Sequence, residues 1–158
     1  MKEQKMIDIL NSLVEVHNDR IEGYQIALKE SEKAFLEEGD LQRLFTSFIQ
    51  TSENCKDLLI NEIIKHGGIP TKGTNTLSMM YRKWMDIKFA LTCNDRYTIL
   101  KSCEHGEGIA LEIYNNVIAN NSTELKVYQQ KLLGTQVKIL KSEKDKVLEL
   151  FNHSLEHE

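Results

Sequence analysis

Proline occurs once, at Pro70, in 158 residues, and glycine only eight times, so long stretches carry nothing to interrupt a helix. No segment alternates apolar and polar residues as a half-buried strand does, and no self-similarity recurs at a solenoid period. No apolar run approaches the roughly 18–20 residues of a membrane-spanning helix, and the amino terminus, MKEQKMIDIL, has charge without an uninterrupted apolar core. Basic excess is also missing: the formal net charge is −4, with no run of Arg and Lys interleaved with aromatics, which argues against a phosphate backbone as partner. The three cysteines, Cys55, Cys93 and Cys103, form no CxxC pair and are odd in number. That pattern suits a reducing compartment better than a disulfide framework. A cytoplasmic protein without nucleic-acid or membrane partners is expected, folded as one domain over 1–158.

What is present is helical periodicity. A first helix is expected from about Met6 to Leu36, with Leu10, Leu13, Val14, His17, Ile21, Tyr24 and Leu28 on one side. Glu37-Glu38-Gly39-Asp40 ends it, Gly39 supplying the stop and Asp40 the N-cap of a second helix over Leu41 to His66, which Gly67-Gly68-Ile69-Pro70 terminates. A polar loop then leads to a short amphipathic helix, Leu77 to Leu91. Two further long helices follow, over about Arg96 to Ala119 and Glu124 to Phe151, separated by Asn120-Asn121-Ser122-Thr123. The fold class is therefore all-α: a four-helix bundle in which a long crossover, about 67–95, carries a short fifth helix. The alternative is an up-down bundle with a long loop.

The segments Asn18-Asp19-Arg20-Ile21-Glu22-Gly23-Tyr24, Gly67-Gly68, Trp84 to Thr92, and Cys103-Glu104-His105-Gly106-Glu107 leading to Tyr114 resemble, in order and spacing, an uncharacterised bacterial family of ferritin-like four-helix-bundle proteins. The resemblance covers roughly Ile9 to Leu150. It implies a ferritin-like fold and no particular reaction.

Ferritin-like carboxylate proteins bind two metal ions through a Glu from each of two helices and a Glu-x-x-His from each of the others. No Glu-x-x-His occurs in this chain. Glu107 nevertheless falls on an apolar stripe with Cys103, Ala110, Tyr114 and Val117, where an acid must be paired, bonded or metal-bound. Residues equidistant from a tight turn lie at one height, so a turn near Asn121-Ser122 sets Glu107 against Gln136, and one near Gly39 sets Tyr24 against Cys55. The expected centre is a hydrogen-bonded polar cluster of Tyr24, Ser52, Cys55, Glu107 and Gln136. No metal or other cofactor is expected; were iron or another divalent ion held, Glu107, His17 and Glu62 are the candidate ligands. No residues are assigned to catalysis.

Met79, Met80, Trp84, Met85 and Phe89 give the crossover helix two apolar sides, which marks it as a candidate surface for self-association. The sequence therefore points to a non-catalytic binding or structural protein. The alternative is a metal-binding, ferritin-like oxidative-stress protein or oxidase with a non-standard carboxylate site.

Overall fold

The computed structural model describes residues 2–34, 39–73 and 96–156. These form four α-helices and, among the described residues, no strand: α1 (Lys2–Ala34), α2 (Gly39–Lys65), α3 (Arg96–Asn120) and α4 (Val127–Glu156). The short helix expected over Leu77 to Leu91, with Met79, Met80, Trp84, Met85 and Phe89, lies outside the described residues. Among the described residues, no helix is long and apolar enough to cross a membrane.

The helices pack as two antiparallel hairpins, α1 against α2 and α3 against α4. Their relative direction follows from side-chain contacts at the two ends. At one end the residue that follows α2 meets the start of α1, His66 Nδ1 lying 3.0 Å from Glu3 Oε1. At the other, Arg96 at the start of α3 grips both carboxylate oxygens of Asp40 at the start of α2, at 3.2 and 2.6 Å. So α2 and α3 run parallel, both starting at the same end of the bundle. Asn11 donates to the Ile69 carbonyl and accepts from the Thr71 amide, and Asn18 donates to the Gly73 carbonyl, so residues 69–73 climb the outer side of α1.

Each hairpin closes its inner face around aliphatic and aromatic side chains, among them Leu10, Leu13, Phe45, Phe48, Leu59, Ile63, Ile99, Leu100, Leu133 and Leu140, all without solvent exposure. Helix α2 ends because Gly67 adopts φ +79°. That turn lets the Gly67 amide donate to Ile64 O and the Gly68 amide to Ile63 O, satisfying carbonyls the helix leaves open. The two glycines serve different ends. A Cβ at Gly67 would touch nothing, whereas one at Gly68 would lie 2.7 Å from Ile7 Cγ2 and 2.9 Å from Ile63 Cγ2. Gly67→Ala should therefore cost only backbone strain, about 1–2 kcal/mol, and Gly68→Ala should cost more by prying α1 from α2. Urea midpoints of the two variants check the order.

Candidate functional site

Helix α1 buries more than a stripe. From Val16 to Ile21 every residue is buried, including His17, Asn18, Asp19 and Arg20, because α2, α3 and the 69–73 segment cover different sides of it. Arg20 is fully buried at the bundle centre, and a buried guanidinium is tolerable only if its donors and charge are met. Its Nη2 donates to Glu107 Oε1 of α3 and to Glu143 Oε1 of α4, both at 2.8 Å. Nε also reaches Glu107 Oε1 at 3.3 Å, and Nη1 donates to Ser52 Oγ of α2 at 2.5 Å. One side chain thus ties all four helices together. Burial alone would lower the Arg20 pKa, but Glu107 above all, with Tyr24 and Glu143 beside it, outweighs burial and holds the cation above its ordinary value.

Tyr24, one turn further along α1, donates to the same Glu107 Oε1 at 2.5 Å. Its ring packs against Phe45 and Phe48, and the Arg20 guanidinium lies 5.7 Å from the Tyr24 ring centre and 5.6 Å from that of Phe48. Glu143 Oε2 is 2.8 Å from Thr51 Oγ1. Burial raises the Glu143 pKa, with Arg20 opposing.

A second branch leaves Arg20 through Ser52 and runs one way. Gln136 Nε2 donates to the Cys55 carbonyl at 3.1 Å, which turns its Oε1 toward Tyr114, whose hydroxyl donates to it at 2.6 Å. Tyr114 Oη must then accept from His17 Nε2, also 2.6 Å away. His17 carries its proton on Nε2, leaving Nδ1 to accept from Ser52 Oγ at 3.1 Å, while Ser52 accepts from Arg20. The chain Arg20 → Ser52 → His17 → Tyr114 → Gln136 → Cys55 carbonyl fixes every rotor and one neutral tautomer. Burial holds the His17 pKa well below 6.5, and Arg20 and Lys56 push the same way.

This yields a pH prediction. The unfolded chain takes up a proton at His17 near 6.5 and the folded one only at lower pH, so the unfolded state binds more protons and stability falls on acidification. Below about pH 6.5 the His17 contribution should decline by up to about 1.4 kcal/mol per pH unit until the folded imidazole titrates. Glu143 has the opposite sign, since its raised folded pKa favours the folded state as pH falls toward 4.5. Urea unfolding between pH 6.5 and 5 should show a shallower acid loss in His17→Asn than in the unsubstituted protein.

The expected cluster residues Tyr24, Ser52, Cys55, Glu107 and Gln136 are all buried. Their partners differ from the register inferred above. Glu107 does not bond Gln136; it meets Arg20 beside Glu143, two helical turns further along α4. Tyr24 lies against Phe48, two turns before Cys55 along α2. The connection between α3 and α4 extends to Lys126, so α4 starts at Val127 rather than near Glu124, and the α1–α2 connection falls before Gly39. Both hairpins are displaced by the same two turns, which leaves the inward stripe unchanged.

The three candidate ligands do not converge. His17 spends both nitrogens on Ser52 and Tyr114, while Glu62, toward the α1–α2 open end, accepts from Tyr128 at 2.7 Å and Gln129 at 3.1 Å. Among the described residues no group of three or more His, Cys, Asp and Glu side chains is placed to hold a metal ion. The Cys55 thiol, pushed up to about 11 by burial, stays protonated at neutral pH, and burial raises Cys103 further.

Arg20 went unassigned above although its position was legible: it stands three residues after His17 and four before Tyr24, on the same stripe. A stripe read for apolar members passes over a cation. Glu143 shares that stripe on α4, three and seven residues from Leu140 and Gln136.

The molecule is thus a helical bundle whose polar centre is organised by one internal guanidinium. The chain belongs to the family described as Domain of unknown function (DUF2383), whose model matches residues 5–120. That match ends before α4, so Gln136 and Glu143 lie beyond it. No curated protein and no solved structure matches the chain.

Proposed function

We propose that this is a single-domain, ferritin-like four-helix bundle that acts as a non-catalytic binding or structural protein in the cytoplasm, with an arginine standing where a metal centre would otherwise be built. The observation that supports it is the Arg20 guanidinium, whose Nη2 lies 2.8 Å from an oxygen of each of the two inward carboxylates. A cation is already covalently supplied there, and a divalent ion between Glu107 and Glu143 would have to displace it against strong mutual repulsion. The donor set does not fit a two-metal centre, and no reaction step is assigned to one. Protein purified without chelators and titrated with Fe(II) or Zn(II) by calorimetry should show no saturable uptake at the bundle centre. Its thermal midpoint should be the same with and without EDTA.

The metal-binding reading, an oxidative-stress protein or oxidase, has one observation in its favour: Glu107 Oε2 is buried without a hydrogen-bond partner. Stoichiometric uptake abolished by Glu107→Gln would establish that reading and remove the first. Self-association through Met79, Met80, Trp84, Met85 and Phe89 is proposed on sequence pattern alone, and light scattering at micromolar concentration tests it.

A further inference from the structure

Around Arg20 the charges do not balance. Two carboxyl groups, Glu107 and Glu143, converge on one guanidinium, and among the described residues neither forms an ion pair with any other cation. His17, the nearest titratable base on α1, is held neutral by the hydrogen-bond direction derived above. Cys55 faces the site from α2 as a thiol, and Lys56 acts on His17. Lys138 and Lys146 of α4 line the cleft above Glu143 with exposed side chains that water screens. Two like charges sharing a buried site cannot both be maintained cheaply, and the usual resolution is a retained proton.

Four carboxyl oxygens could carry it, and hydrogen bonding separates them. Glu107 Oε1 receives Arg20 Nε, Arg20 Nη2 and the Tyr24 hydroxyl, a set of donors that suits an anion. Glu107 Oε2 is buried and makes no hydrogen bond in which a proton could be shared. Glu143 Oε1 already accepts from Arg20. Glu143 Oε2, 2.8 Å from Thr51 Oγ1, is the remaining oxygen, and a hydroxyl can accept as well as donate.

We propose that the bundle centre is a one-proton site: at neutral pH Glu143 is a neutral acid, its Oε2–H donated to Thr51 Oγ1, and this proton exchanges with solvent through the cleft between α2 and α4. Thr51 and Glu143 both line that cleft, about 340 Å³ in volume, with Ser47, Thr135 and Ser142 supplying further hydroxyls. Burial favours the neutral form of Glu143, with Arg20 opposing. The inference stands on the charge count and the bonding pattern and is independent of the reading under Proposed function.

Carbon-13 NMR of the side-chain carboxyls in the full chain tests it, each resonance assigned by through-bond correlation to its own backbone. At pH 7 Glu143 should give the shift of a neutral acid and Glu107 that of a carboxylate. Thr51→Val should move the Glu143 resonance. Glu107→Gln, which leaves one acid for one guanidinium, should let Glu143 ionise, its titration midpoint falling by at least about one pH unit. Two carboxylate-like resonances at pH 7, a neutral acid at Glu107, or a Glu143 midpoint unmoved by Glu107→Gln would each overturn the proposal. The unsubstituted protein decides the first two outcomes, so the test survives a variant that fails to fold.

Discussion

Arg20→Ala should lower stability by roughly 3–5 kcal/mol, because it leaves two carboxyls facing each other in a region from which water is excluded. The same substitution removes the donor that orients Ser52, so the chain through His17, Tyr114 and Gln136 loses its first link. For a chain of this length that loss corresponds to a fall in melting temperature of roughly 6–20 °C. Most of the cost is the charge left behind rather than the worth of the ion pair itself. The triple replacement Arg20→Met, Glu107→Leu, Glu143→Leu should accordingly recover most of the stability, or exceed the starting protein, despite deleting every contact of Arg20 with the two acids. Chemical unfolding of the two variants gives the comparison. A single-variant loss below about 1 kcal/mol would show that the centre is hydrated and that the guanidinium is not its organising charge.

Phe48→Ala should be nearly as damaging, at roughly 3–5 kcal/mol. Phe48 is fully buried on α2, packs edge-on to Tyr24 at 5.2 Å between ring centres, and presents its ring to Arg20 at 5.6 Å. Truncation opens a cavity beside the ion pair and removes one wall that holds the guanidinium in place. Phe48→Leu keeps most of the apolar volume and should cost less, the difference reporting ring-specific contacts with Tyr24 and Arg20. If the Phe48→Ala and Arg20→Ala effects couple, the double variant will lose less than the two singles combined. Strict additivity would mean that the ring packs without supporting the ion pair.

The helices were legible because each long segment repeats apolar residues at three and four with few breakers between them. Gly67 announced the end of α2 for a reason the backbone bears out, since its φ of +79° is one that side chains disfavour. The inward position of Glu107 was legible too, from Cys103, Ala110 and Tyr114 on the same stripe. Its partner was not. A hairpin counted from its turn residues carries an error of however many residues the connection really holds, and a slip of two turns returns the same face to the core. Periodicity is blind to that slip, so Gln136 and Glu143 were equally eligible to meet Glu107. Arg20 was hidden for a different reason: charge on a helix is usually solvated, and only a third and fourth element covering α1 make its burial both necessary and affordable.

By itself the chain of residues determined the all-helical class, the end of α2 at Gly67, and which faces turn inward, because those depend on local propensity, capping and period. The long connection already favoured parallel α2 and α3, and tertiary structure decided for it over the up-down alternative; tertiary structure alone decided which acid faces which partner, and that an arginine holds the middle. Those depend on the register between helices distant in sequence, where a shift of two turns costs local structure nothing and changes every charged contact at the centre.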